Sequence, residues 1–173
     1  DPGNPYGSAH KAALLSSIKG DTDESLALWR EAALLGPNIF AIQWELAQVL
    51  IRAGRHAEAL PVMRRALRVH PRHPVALTRA LAGLEFAAGL PEAAFASLDA
   101  VIEKRPAAAD PRLMRIFLLA TLHRTDEAAA EAKAFLALHP GFGFSRWSAR
   151  QARRGRQARL EWREKLRESG IPD

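Results

Sequence analysis

Phe40 to Pro71 reads FAIQWELAQVLIRAGRHAEALPVMRRALRVHP, and the rest of the chain repeats its pattern. Apolar residues recur every three or four positions over 41–52 and again over 57–69, which is the period of a helix and not of a strand. Gly54 lies between these segments, where a glycine ends a helix without strain, and Pro71 stops the second one. The stretch therefore predicts two antiparallel helices, each with an apolar stripe that a neighbouring pair must cover.

The same pattern recurs at intervals of 34 or 35 residues. The prolines that end the second helix of each pair are Pro37, Pro71, Pro106 and Pro140. The position between the two helices holds Gly20, Gly54, Gly89 and His123, and a small residue follows five positions later at Ser25, Ala59, Ala94 and Ala128. Small residues are needed where two helix backbones approach closely. The chain therefore contains four copies of one helical hairpin.

A helix-turn-helix repeat of about 34 residues, with small residues at the crossing and a proline at its end, resembles the tetratricopeptide repeat family. The resemblance covers roughly residues 6–140. It implies an all-α, right-handed solenoid of four helix pairs, followed by C-terminal capping helices. The expected division places four repeats in residues 1–141, at about 6–37, 38–71, 74–106 and 109–140, and a basic cap and tail in 142–173.

Three residues of the fourth copy and one of the second depart from the family's pattern. Arg112 and Arg115 stand at positions that are usually apolar, which leaves open how the helix that carries them faces its neighbours. His123 replaces the glycine between the helices, so we expect a strained or differently shaped turn there. In the second copy, Trp44 lies one place after the family's tryptophan position.

The periodic pattern predicts ten helices, and their ends follow from glycine, proline and capping residues. Predicted helices span about 6–19, 22–35, 39–53, 56–69, 74–88, 91–104, 110–122, 125–138, 145–153 and 156–168. Asp21 and Glu24 have the spacing of a capping box for the second helix. Ala158, Trp162 and Leu166 form the apolar face of the last helix, and we expect it to pack with Phe142, Phe144 and Trp147 on the fourth pair, which would otherwise expose its apolar side.

Composition limits what else the chain can be. It has no cysteine, which excludes disulfides and cysteine-based metal or nucleophilic sites, and no apolar run approaches the roughly 20 residues that span a bilayer. We recognise no signal peptide in residues 1–173, and we expect a cytoplasmic location. Because the chain starts at Asp1-Pro2 without a methionine, further N-terminal sequence is expected as well. The net charge of +6 is concentrated in residues 146–168, where eight arginines and Lys165 face three glutamates.

The C-terminal phrases add a narrower resemblance. HPGFGFSR from His139 and LRESGIPD ending at Asp173 are similar to the ends of bacterial tetratricopeptide regions joined to class III adenylate or guanylate cyclases. The fourth copy's LHRTDEA, residues 122–128, is similar to a phrase of the same regions. This resemblance implies the non-catalytic region of a larger bacterial regulatory protein.

The sequence contains none of the common catalytic motifs. There is no phosphate loop, no Gly-x-Ser-x-Gly, no His-Glu-x-x-His and no calcium-binding loop. His70 and His73 lie close together in a proline-flanked turn without a nearby carboxylate, so we interpret them as surface residues and not as metal ligands. We therefore expect a protein that is not an enzyme and that has neither a cofactor nor a metal site.

The family resemblance implies that the first helix of each pair lines a concave groove. In that register the candidate binding residues are Trp44, Gln48, Arg52, Arg79, Phe86 and Phe117, and the further inward residues are His10, Lys11, Leu14, Glu45, Gly83, Leu113 and Met114. Aromatic anchors mixed with single charges suit an extended or helical peptide. Whether the aromatic residues are open or are covered by neighbouring helices or by the C-terminal segment is left open.

The function expected from these features is a protein–protein interaction scaffold with a protein or peptide partner in the groove. One alternative is a free-standing adaptor without an enzymatic neighbour. Another is nucleic-acid contact through the arginine-rich C-terminal helix, with Trp147 and Trp162 available to stack on bases, although three glutamates dilute that charge. A homodimer is left open, because an exposed solenoid end or edge can dimerise.

Overall fold

The computed structural model of the chain describes residues 3–71, 75–149 and 156–173, with the side chains of 76 and 156–158 outside the description. All regular structure in these ranges is helical, and none of it is strand. The prediction of an all-α fold is therefore confirmed.

Ten helices are found in the described residues. They are α1 (Pro5–Lys19), α2 (Asp23–Leu35), α3 (Phe40–Arg52), α4 (His56–Val69), α5 (Val75–Ala87), α6 (Pro91–Lys104), α7 (Ala109–Thr121), α8 (Thr125–Leu138), α9 (Phe144–Ala149) and α10 (Arg156–Glu168). Their ends agree with the predicted ends to within a residue, apart from α9. The predicted helix 145–153 runs past Ala149 into residues that lie outside the description.

The chain divides into two compact units, which are described separately. Unit 1 is Asp1–Leu77 with Ala87–Leu90, and unit 2 is Thr78–Phe86 with Pro91–Asp173. In unit 1, α1 packs against α2, α3 packs against α4, and α2 packs against α3. Ala12, Ala32, Ala47, Ala59 and Ala66 are fully buried at these contacts. Alanines therefore occupy the crossings where the repeat pattern predicts small residues.

The core of unit 2 is centred on α7, which packs against α6, α8 and α10. Its residues Leu113, Ile116 and Leu118 are fully buried, as is Phe135 of α8. Contact between α5 and α6 is made by Ser97, whose hydroxyl donates to the buried Glu85 carboxylate at 2.7 Å. Helix α7 is apolar around most of its circumference because helices surround it on three sides.

The two arginines of α7 are accommodated by acidic partners. Arg112 Nη1 lies 2.5 Å from Glu131 Oε1 on α8, and both side chains are largely buried. Arg115 pairs with Asp99 on α6 and lies 3.7 Å from Glu131. Helix α7 thus keeps the packing of a first helix, with ion pairs in place of apolar contacts at these two positions.

The predicted capping box of α2 is wrong by one position. Thr22, not Asp21, is the N-cap residue, because it has the extended backbone that this position needs, with φ −100° and ψ 165°. The Ser25 backbone N–H donates to the Thr22 hydroxyl at 3.2 Å, and the Thr22 N–H donates to the Ser25 hydroxyl at 3.0 Å. Asp21 is free to bind Arg52 on α3 instead.

The turn at His123 has the left-handed backbone of the glycine that it replaces. Its φ is 58°, and among the described residues it is the one non-glycine with a positive φ, whereas Gly54 has φ 72°. The hydrogen bonds correspond as well: Arg124 N–H donates to the Leu119 carbonyl at 2.9 Å, as Arg55 N–H does to that of Leu50. The turn is therefore of the usual shape, and the strain lies in the backbone of His123.

The C-terminal segment packs on the fourth pair, as predicted. Phe144, Trp162 and Leu166 are buried, and Phe142 and Trp147 are partly buried. Ala158 was predicted to share this face, but its side chain lies outside the description. Ile171 joins the cluster, since the chain after α10 returns to the start of α9, where Phe144 N–H donates to the Pro172 carbonyl at 3.0 Å.

Candidate binding site

The candidate residues lie on the first helices of their pairs, three of them in each unit. Trp44, Gln48 and Arg52 are on α3 in unit 1. Arg79 and Phe86 are on α5, and Phe117 is on α7, in unit 2. The two groups are treated separately below.

Trp44 and Gln48 are partly exposed on one face of α3. The indole of Trp44 stacks on Phe40, with ring centroids 6.0 Å apart and an interplanar angle of 25°. Phe40 in turn packs against His70 at the end of α4, at 4.8 Å. These contacts hold the indole in place on one side and leave part of it accessible, as an aromatic anchor for a partner requires.

Arg52 is held by an ion pair within unit 1. Its Nε and Nη2 donate to Asp21 Oδ2 and Oδ1 at 2.5 and 3.2 Å. This hydrogen bonding lowers the pKa of Asp21 below its ordinary value and raises the pKa of Arg52. Arg52 therefore ties the end of α3 to the link between α1 and α2, and its guanidinium already has a carboxylate partner within unit 1.

Two apolar residues of α1 stand at the register positions equivalent to those of Gln48 and Arg52. Leu14 and Ile18 are 63% and 71% exposed and lie one helical turn apart. Each stands 34 positions before a candidate on α3, so Leu14 corresponds to Gln48, and Ile18 corresponds to Arg52. Ile18 was absent from the predicted inward residues, although subtracting one repeat from Arg52 finds it.

The α5 residues in unit 2 are both partly buried. Phe86 packs against the hydrophobic core of the unit. The Nε of Arg79 is buried, and it has no hydrogen-bond partner among the residues that the structure describes. A buried donor without a partner is costly, so Arg79 Nε lowers the stability of unit 2 at this position.

Phe117 is covered by the C-terminal segment. Its ring stacks on Trp162 of α10, with centroids 4.5 Å apart and an angle of 8°, and it is only 8% exposed. Trp147 also stacks on Trp162, with ring centroids 5.7 Å apart. The Nε1–H of Trp147 donates to Asp110 Oδ1 at 3.0 Å. Phe117 is therefore a core residue in this conformation, which is the covered arrangement of the two that the sequence left open.

The same stacking bears on the nucleic-acid alternative. Trp162 is buried between Phe117 and Trp147, so it cannot receive a base without leaving the core. Arg163 and Lys165 of α10 are engaged with Asp173 and Glu168. These contacts engage Trp162, Arg163 and Lys165, whereas the arginines at 150, 153, 154 and 156 lie outside the description or have side chains that do.

The described residues contain neither a candidate metal site nor a candidate membrane-spanning helix. No group of three His, Asp or Glu side chains there is arranged to hold a metal ion. Within the same residues, no helix has both the length and the apolar character that crossing a bilayer requires.

One family model matches the chain. Residues 19–74, the region that contains α2, α3 and α4, match the tetratricopeptide repeat model. No curated protein matches the chain in sequence.

Solved structures share the fold along nearly the whole chain. YrrB, described as a tetratricopeptide repeat protein with an unusual peptide-binding site, has a TM-score of 0.59 at 20% identity, over 97% of this chain and 87% of its own. MamA from Desulfovibrio magneticus has a TM-score of 0.61 at 15% identity, over 95% of this chain and 94% of its own. A tetratricopeptide repeat protein from Parabacteroides merdae has a TM-score of 0.65 at 18% identity, over 95% of this chain and 62% of its own. The chain therefore has a tetratricopeptide repeat fold, and residues 19–74 are the part that matches the family in sequence.

Proposed function

We propose that the chain is a protein-interaction module that binds an apolar peptide segment of a partner protein on the α1–α3 face of unit 1, defined by Leu14, Ile18, Trp44 and Gln48. The observation that carries the proposal is the exposure of Leu14 and Ile18, two large apolar side chains one helical turn apart. Their register positions are equivalent to those of Gln48 and Arg52 on α3. Contiguous exposed apolar side chains on a folded domain are typical of partner-binding surfaces.

The chemistry of this face favours a peptide with an apolar stripe. Trp44 supplies an anchored ring, and Gln48 supplies an amide that can bond a peptide backbone. Arg52 is neutralised by Asp21, so the face has little net charge to attract a polyanion. A peptide-binding site is described for YrrB, which has the same fold, and this agrees with the proposal.

Arg79 and Phe86 on α5 are proposed as partner contacts in unit 2. Both side chains are partly exposed, so part of each remains accessible to a partner. Replacing Trp44 and Phe86 together by alanine is expected to abolish partner capture and to leave the helical content intact.

Selection from a displayed peptide library tests the α1–α3 face without a known partner. Peptides selected with the wild-type chain are expected to bind a Leu14→Asp, Ile18→Asp variant at least tenfold more weakly, because the buried carboxylates would be unpaired. Leu160→Asp on α10 is the matched control, since Leu160 is also an exposed leucine. The affinity of this variant for the selected peptides is expected to equal that of the wild type. Circular dichroism verifies the fold of each variant. Equal binding to the wild type and the α1 variant would refute the proposed site.

We further propose that this module is the non-catalytic region of a larger bacterial regulatory protein such as a cyclase, acting in the cytoplasm. The support is the similarity of the phrases at His139 and at the C-terminal end to such regions. The alternative remains a free-standing adaptor. The coding sequence upstream of Asp1 decides between them, and nucleotide turnover by the chain alone would contradict its non-catalytic assignment.

A further inference from the structure

A second surface of unit 1, away from the α1–α3 face, has the features of a binding site. A cleft of about 380 Å³ lies where α2, α3 and α4 meet, and its lining includes Arg30, Leu34, Pro61, Val62, Arg65 and Arg68. We call it the arginine cleft. None of the residues that define the α1–α3 face lines it. Whatever occupies this cleft is therefore recognised independently of the function proposed above.

The apolar part of the arginine cleft is incompletely covered. Leu34 is 80% exposed, the largest exposed fraction among the large apolar side chains that the structure describes. A single exposed leucine is ordinary, but this one lies at the rim of a concave site with Pro61 and Val62 beside it. The floor is closed by Gln43, whose Nε2 donates to the Ala33 carbonyl at 3.0 Å. This wall therefore leaves apolar surface exposed to solvent.

The charged part of the cleft is positive and contains no acid. Three guanidinium groups line it, and no Asp or Glu does. Arg30 is paired with Glu58 at 2.8 Å, and Glu58 also accepts from Arg55 at 2.6 Å. Within the described part of the chain, Arg65 and Arg68 are exposed and neither has an ion pair or a side-chain hydrogen bond. Two free guanidiniums therefore stand three positions apart on one face of α4.

We propose that the arginine cleft binds an acidic peptide segment of a partner protein. Carboxylates of the peptide bind Arg65 and Arg68, since a guanidinium matches a carboxylate with two parallel hydrogen bonds. An aliphatic side chain of the same peptide covers Leu34 and Val62. A nucleic acid fits less well, because the lining has no aromatic ring on which a base could stack.

The test uses a short fluorescein-labelled peptide of glutamate, leucine and glycine, titrated with the full chain and followed by fluorescence polarisation. We expect binding that weakens with added salt and at least tenfold with Arg65→Glu, Arg68→Glu. Leu34→Ala should also weaken it. Lys104→Glu, Lys133→Glu, which makes the same change in net charge on unit 2, should leave the affinity within about twofold. Trp44→Ala should have no effect, which separates this site from the α1–α3 face.

Three outcomes would overturn the proposal. Equal affinity for the same peptide with glutamine in place of glutamate would show that carboxylates are not recognised. An equal loss in the lysine variant would reduce the effect to net charge. Binding of a labelled oligothymidylate that depends on Arg65 and Arg68, without binding of the acidic peptide, would assign the cleft to nucleic acid. If the charge-reversed variant is not folded by circular dichroism, Arg65→Gln, Arg68→Gln replaces it and must show the same loss.

Discussion

At the residue scale, the turns between paired helices show how far a single position constrains the chain. Gly54 has a left-handed backbone, and a Cβ placed there would meet no atom within 4 Å. Only backbone strain therefore disfavours a side chain at this position. His123 bears that strain in unit 2, with φ 58° and an exposed side chain. The spacing of the glycines was enough to predict this position from the sequence.

Exchanging the residue types at these two turns should have opposite effects on stability. His123→Gly removes a left-handed strain of roughly 1–2 kcal/mol, which the greater freedom of an unfolded glycine offsets by about 0.5–1 kcal/mol. We therefore expect a net gain of up to about 1.5 kcal/mol in the free energy of unfolding, and a similar loss for Gly54→Ala. Urea unfolding measures both. A loss on His123→Gly would mean that the imidazole makes a stabilising contact.

The Asp21–Arg52 pair should make stability depend on pH at the acidic end. The pKa of Asp21 is lower in the folded chain than its ordinary value of 3.8, so the stabilisation is fully present above that value and is lost as pH falls through the folded pKa. Asp21→Asn removes the charge. Because Arg52 is about half exposed, the difference from the wild type at neutral pH should be at most about 1 kcal/mol.

Urea unfolding of wild type and Asp21→Asn from pH 7 downward measures this difference. It should stay constant to about pH 5 and shrink toward zero in more acidic solution. A difference that does not change with pH would exclude the ion pair as its source.

At the scale of elements, local sequence patterns were sufficient to predict the helices. They were insufficient to predict which side chains the C-terminal helix covers. Glycine and proline spacing predicted the ends of α1 to α8 to within a residue. The apolar face of α10 at Trp162 and Leu166 was also predicted. Its packing on the fourth pair was predicted too, but whether it covers Phe117 was left open, because periodicity shows which face of a helix is apolar and not which side chains receive it. The Asp21–Arg52 pair, 31 positions apart, was missed for the same reason.

Removing the Trp162 ring should separate α10 from α7. Trp162 is buried between two aromatic rings, so Trp162→Ala is expected to lower the free energy of unfolding of unit 2 by about 3–5 kcal/mol. Leu160→Ala on the same helix is the control, since Leu160 is 49% exposed and its loss should cost less than about 0.5 kcal/mol. Chemical denaturation compares the variants. Equal costs would show that α10 does not hold its position through this stack.

At the scale of the whole molecule, the account depends on one hairpin that is repeated in register. The fully buried alanines of unit 1 and the left-handed turns in both units recur at the positions that the repeat assigns to them. The proposed α1–α3 face uses the same register, because it assigns Leu14 and Ile18 to the positions of Gln48 and Arg52. What the register does not provide is the identity of a partner, which depends on side chains that differ from one copy to the next.

Excision of one repeat tests this claim most directly. Deleting residues 38–71 joins Pro37 to residue 72 and keeps the register, whereas deleting 38–54 removes one helix of a pair and breaks it. Urea unfolding followed by circular dichroism should show a cooperative transition for the full-repeat deletion, at lower denaturant than for the wild type, and a broad or absent one for the half-repeat deletion. A full-repeat deletion that does not fold, or a half-repeat deletion that unfolds as cooperatively as the wild type, would contradict the account.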